Sequence, residues 1–124
     1  MSHVTASSVA SAPAAAFDSA ALDELDDAEL CEMLVGLFAG EAAIRIEQIG
    51  AAVADGEAAT LAHRLEGAAA TIGAQRVAQL CAELAASPSP GEVAALHDQL
   101  ADALDDALRA MDAYLERAHA RRPR

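Results

Sequence analysis

Apolar residues return every three or four positions along most of this chain, with polar residues between them. A period near 3.6 marks helices that bury one face. The longest early stretch runs from about Asp27 to Ala54, and its predicted inner stripe is Leu30, Met33, Leu34, Leu37, Phe38, Ile44, Ile46, Ile49 and Val53, with one slip at 44–46. Asp26 or Asp27 caps its start, because a carboxylate there accepts from the free N–H groups of the first turn. Gly40 inside it costs about 1 kcal/mol without breaking it. Asp55-Gly56 makes the next turn. A segment from Glu57 to Thr71 then puts Ala58, Leu61, Ala62, Leu65, Ala69 and Ile72 on one side. Gly73 ends it, since glycine takes the left-handed position after a helix at no steric cost.

Ala74 to Ala85 forms a shorter helix with Val77, Leu80, Cys81 and Leu84 inward. Ser87-Pro88-Ser89-Pro90-Gly91-Glu92 is the strongest punctuation in the chain. Ser89 serves as an N-cap, Pro90 fits the first helical position, and Glu92 completes a capping box. The last helix extends to about Ala118 on Val93, Leu96, Leu100, Leu104, Leu108, Met111 and Leu115. Upstream, residues 1–16 are small, nearly uncharged and aperiodic, and read as a disordered leader. Residues 17–26 read as a short helix or turn whose Phe17, Leu22 and Leu25 cover one end of the core. The helical domain spans 17–118, and 119–124 is a basic tail. Short connections make consecutive helices antiparallel neighbours. The expected fold is all-α, an antiparallel four-helix bundle with a short extra N-terminal helix.

Composition agrees with that fold and narrows the function. Apolar residues make up 54% of the 124 positions and aromatic ones only 2%, namely Phe17, Phe38 and Tyr114. Small aliphatic side chains suit closely packed helices and serve a sheet poorly. Eight Lys+Arg against twenty Asp+Glu give a net charge of −12, a field that repels nucleic acid and anionic membrane surfaces. Cys31 and Cys81 sit in apolar helical patterns, where reduced, buried thiols are expected rather than a disulfide framework. With no signal-peptide pattern and no long uncharged apolar run, the expectation is a cytoplasmic protein. A bundle complete on its own would be a monomer, with dimerisation through the long helices the alternative.

His63 is the residue with chemical potential. It stands two positions from Leu61 and two from Leu65, about 200° round the helix from each, so it faces away from the buried stripe. Glu66 and Gly67 share its face, with Ala59 and Ala70 close by, which leaves low relief around the ring. An exposed imidazole is partly neutral near pH 7, and its free nitrogen attacks a phosphoryl group. No companion base, oxyanion hole or phosphate-cradling loop accompanies it. On spacing alone, a lone histidine on a solvated helix is usually just polar surface; if it reacts, its role is a phosphoryl carrier rather than an autonomous enzyme. Bundle metal sites use glutamates and Glu-x-x-His pairs on facing helices, whereas His63-x-x-Glu66 occurs once and reversed, so no metal is expected. His97 reads as a boundary residue, and His3 and His119 lie in terminal segments.

The stretch Leu61-Ala62-His63-Arg64-Leu65-Glu66-Gly67, continued through Gly73-Ala74 to Leu80-Cys81 and Leu84, resembles the signature of the histidine-containing phosphotransfer (HPt) family. Ala62, His63, Leu65, Gly67, Gly73, Ala74, Leu80 and Cys81 match it in kind and spacing, with looser similarity over about residues 26–118. The resemblance implies a protein of a two-component phosphorelay that accepts a phosphoryl group on His63 and exchanges it with an aspartate of a receiver domain. It implies a receiver domain or a histidine kinase as partner, Mg²⁺ on the receiver, and no cofactor of its own. Docking falls to the apolar surface around the histidine, here Ala59, Gly67 and Ala70.

One position departs from the family pattern. Glu66 stands where a lysine usually steadies the phosphoryl oxygens. A carboxylate one turn from a phosphohistidine disfavours it by a few tenths of a kcal/mol or somewhat more. Arg64, about 100° away round the helix, compensates in part. Arg76 and Gln79 on the next helix are further candidate donors. Two functional forms therefore stand side by side: a working carrier, and a degenerate binding module that docks a kinase or receiver without carrying phosphate.

Overall fold

A computed structural model describes residues 13–53, 56–86 and 89–121. Among the described residues, five α-helices follow one another: α1 (Ala20–Leu25), α2 (Ala28–Ala51), α3 (Ala58–Ile72), α4 (Gln75–Ala85) and α5 (Pro90–Ala120). Contacts run α2 to α3, α3 to α4, α4 to α5 and α5 back to α2, which closes a four-helix bundle, while α1 lies across α2 and α3. Ala54 and Asp55 of the α2–α3 turn, and Ser87 and Pro88 before α5, lie outside the described residues. So do residues 1–12 of the stretch read as a leader and 122–124 of the basic tail. Its first residues, His119 and Ala120, continue α5 as helix.

The caps fall where the side chains demand them. Asp27 accepts from Leu30 N–H at 3.0 Å at the start of α2. Asp26 adopts a left-handed conformation, φ 50°, that ends α1. Ser89 Oγ accepts from Glu92 N–H at 3.3 Å and Glu92 Oε1 accepts from Ser89 N–H at 2.9 Å, with Pro90 at the first helical position of α5. The Ser89 N–H also holds the Glu92 carboxyl below its usual range.

Each helix contributes an inner face to one core. From α3 come Ala58, Ala62, Leu65, Ala69 and Ile72; from α4, Val77, Leu80, Cys81 and Leu84. From α5 come Val93, Leu100, Ala103, Leu104, Ala107, Met111, Tyr114 and Leu115, with Leu96 and Leu108 partly buried against them. Both cysteines are free and buried.

The expected inner stripe of α2 needs correction. Cys31, Val35, Phe38, Ala42, Ile46 and Ile49 are its buried residues, whereas Met33, Leu37 and Ile44 are 55%, 65% and 57% exposed. The helix is apolar on two sides, and the slip at 44–46 falls where the pattern passes from the outer stripe to the inner one. Leu25 is also exposed, at 40%, while Leu22 from the same short helix is buried.

The N-terminal segment is fastened to the α3–α4 turn. Gly73 closes that turn at φ 96°, and its carbonyl accepts from Asp18 N–H at 2.8 Å. Gln75 donates to the Asp18 carboxylate at 3.2 Å, and Ala14 N–H donates to Gln79 Oε1 at 2.9 Å. Phe17 meets Tyr114 edge to face, with centroids 5.9 Å apart.

Between α2 and α5, His97 Nε2 lies 2.9 Å from the Ile46 carbonyl oxygen. Its ring fills the space left by Gly50, where a Cβ would come within 2.8 Å of Nε2.

Glycine substitutions separate the turn from the helix interior. Gly73→Ala combines a left-handed backbone with a Cβ driven into the Asp18 carbonyl, and should cost about 2 kcal/mol or more in urea unfolding. Gly40→Ala, where nothing lies within 4 Å of the new Cβ, should instead stabilise by up to about 1 kcal/mol.

Alkali should expose a different contact. Tyr114 donates to Asp23 at 2.8 Å. Burial first, and this bond second, push the Tyr114 hydroxyl up from 10.0 to about 12. Between those values the unfolded chain loses a proton that the folded chain keeps, so stability should fall as pH rises through the interval. Unfolding curves of Tyr114→Phe should lack that component.

Candidate functional site

The face of α3 opposite the core holds the candidate site. Leu65 and Ala62 are fully buried, and the helical period therefore turns position 63 outward. The His63 side chain is 80% exposed. Its Nδ1 lies 3.7 Å from Glu66 Oε1, one turn along. That separation is an electrostatic contact, longer than a hydrogen bond. Nε2, on the other side of the ring, is the nitrogen turned away from the carboxylate.

Glu66 is the more confined member of the pair, with a side chain 36% exposed. Its charge reaches α4. Burial, and then the Glu66 carboxylate, push the Cys81 thiol up to about 12. Cys81 thus stays protonated at neutral pH and is no nucleophile. Burial likewise raises Cys31, whose Sγ lies 3.4 Å from the Leu22 carbonyl oxygen.

Gly67 is exposed, and a Cβ built there meets nothing within 4 Å. Packing inside the chain gives no reason for a glycine at this position. Ala70 is exposed and Ala59 half-buried, so the surface near the ring has low relief. Beside Gly67 an apolar groove opens between α1, α2 and α3. Leu25, Leu34, Leu37, Phe38, Ala68 and Ile72 line it, with Glu41 among its polar residues. Exposed Met33 and Ile44 continue the apolar surface along α2. At about 100° per residue, Met33, Leu37 and Ile44 fall within about 40° of one another.

The other candidate residues are placed as follows. Arg64 is exposed and has no ion-pair partner among the described residues. Arg76 donates to Gln79 Oε1 at 2.6 Å and to Gln99 Oε1 at 3.2 Å, so its guanidinium is engaged along α4 and toward α5. Gln79 also receives Ala14 N–H. The pair joins the N-terminal segment to two helices. Periodicity missed the outward stripe of α2, although Met33, Leu37 and Ile44 carry the signal once Cys31, Val35 and Ala42 are taken as the inner face. Among the described residues, no three His, Cys, Asp or Glu side chains gather where they could hold a metal ion.

A family model for the Hpt domain matches residues 33–120, well over half of the chain. The chain belongs to the Hpt domain family. No curated protein and no solved structure matches it. Membership makes it a phosphotransfer-type module of two-component signalling, a class that interacts with receiver domains and kinases. No described helix of this Hpt domain is long and apolar enough to cross a membrane.

Position 67 separates folding from access. Gly67→Ala fills open space in a helix interior and should raise stability by up to about 1 kcal/mol in denaturant titration. Gly67→Phe should leave folding within about 1 kcal/mol of wild type while obstructing approach to His63.

Proposed function

We propose that this Hpt domain carries a phosphoryl group on His63 and exchanges it with the aspartate of a receiver domain. The observation that supports the reading most directly is the bare imidazole, 80% exposed on the outward face of α3 beside Gly67, whose empty Cβ position serves no packing need. In the transfer, a ring-nitrogen lone pair attacks phosphorus of the aspartyl phosphate. The N–P bond forms as the O–P bond breaks, and the aspartate leaves with the bonding electrons as a carboxylate. The receiver supplies the Mg²⁺ that neutralises phosphoryl charge, and this chain supplies the nucleophile and the docking surface. The groove and the outward stripe of α2 suit an apolar partner surface, because four exposed large apolar side chains concentrate on α1 and α2.

Glu66 supports a second reading, in which the domain docks a kinase or receiver without carrying phosphate. A carboxylate 3.7 Å from the ring disfavours a bound dianion, and Arg76 is engaged elsewhere.

Transfer of label from phosphorylated receiver domains and active kinases of the same organism separates the two. Label on the wild type and none on His63→Ala is the expected result. Leu37→Asp should weaken partner binding by about tenfold, as loss of an interface anchor does, while leaving the helical content intact. Binding without label by any partner would leave the docking module as the function.

A further inference from the structure

The contact between Glu66 and His63 has a direction. The carboxylate oxygen lies nearest Nδ1, at 3.7 Å, and Nε2 occupies the other side of the ring. A neutral imidazole carries its hydrogen on one nitrogen and its lone pair on the other, and a carboxylate beside one nitrogen favours hydrogen there. We propose that Glu66 is a positioning residue for His63, favouring the tautomer with hydrogen on Nδ1 and so presenting the Nε2 lone pair outward. The inference rests on the carrier reading for its use in transfer, but the tautomer preference is a property of the free domain.

Confinement of Glu66 supports the assignment. Its side chain is less than half as exposed as that of His63, and its charge is felt at buried Cys81 on α4. The carboxylate is therefore held toward the bundle while the ring projects beyond it. During attack by Nε2, the electron pair leaves the ring for phosphorus, the Nδ1–H remains in place, and positive charge spreads over the imidazole. Glu66 faces the end of the ring that keeps its proton. A phosphoryl group on Nε2 is farther from the carboxylate than the ring itself, so attraction to the cationic ring opposes repulsion of the phosphoryl oxygens.

Nitrogen-15 NMR of the full chain tests this without any partner. Spectra recorded at about pH 9, well above the range of an ordinary imidazole, give the ratio of the two His63 tautomers. Glu66→Ala should shift that ratio toward the Nε2–H form by about two- to fivefold, the range expected for one exposed pair. Glu66→Gln, which retains an acceptor without the charge, should restore part of the preference. An unchanged ratio in Glu66→Ala, with unchanged helical content, overturns the assignment. Label transfer is read separately: a shifted ratio without transfer from any bound partner supports the positioning role and removes the carrier reading alone.

Discussion

The turn at Gly73 is the constraint on which the other parts depend. A residue with a Cβ there would face both a left-handed backbone and the Asp18 carbonyl. With glycine in place, α3 reverses directly into α4, and the alanine-rich inner face of α3 packs closely against its neighbours. The same glycine accepts Asp18 N–H through its carbonyl, which draws the N-terminal segment across the turn. That segment leads into α1, and α1 forms one wall of the groove beside Gly67. One backbone conformation thus sets both the α3–α4 hairpin and a border of the candidate docking surface.

The two apolar faces of α2 differ in what they contribute to stability. Cys31, Val35, Phe38, Ala42, Ile46 and Ile49 face the core and offset the entropy of ordering the helix. Met33, Leu37 and Ile44 face outward and contribute little to that balance. Exposed apolar side chains gathered on one stripe mark an interaction surface more strongly than scattered ones. The bulk of α5 carries none of this character: its large apolar residues are buried or partly buried. The apolar character available for recognition therefore lies on the α1–α2 side, where the groove reaches Gly67 on the histidine's own helix.

Much of this was legible in the sequence, and the misses have physical causes. The inner faces of α3 and α4 were readable because each has a single stripe, and the α5 start because Ser89, Pro90 and Glu92 act through local geometry. The α2 stripe was not, because large side chains lie on both sides, so periodicity favoured the bulky exposed residues over Cys31, Val35 and Ala42. Tyr114 was not placed in the core by pattern, since its surroundings include Phe17 and Asp23 from far along the chain. The outward direction of His63 followed from its offset to Leu61 and Leu65. The engagement of Arg76 with Gln79 and Gln99 did not, because that requires the packing of α4 against α5.

On the carrier reading, the charge at Glu66 would have different consequences before and after a phosphoryl group arrives. Beside a neutral ring, the carboxylate acts on the hydrogen position and leaves Nε2 open. Beside a phosphorylated ring, it attracts the imidazole and repels the phosphoryl oxygens, two opposing effects of similar small size at an exposed site. Coulomb repulsion alone is therefore too weak to decide that His63 is inert. Positive charge around the phosphoryl group in the docked complex matters more, because water is excluded there and each charge counts for more. Arg76 is engaged along α4, Arg64 is exposed beside the histidine, and the chain carries a net charge of −12, so on the carrier reading the partner would supply much of that positive charge. On that reading, an apolar face beside an acidic histidine site would favour a partner that joins an apolar patch to a cation-rich active site, with charge complementarity rather than buried area discriminating among partners.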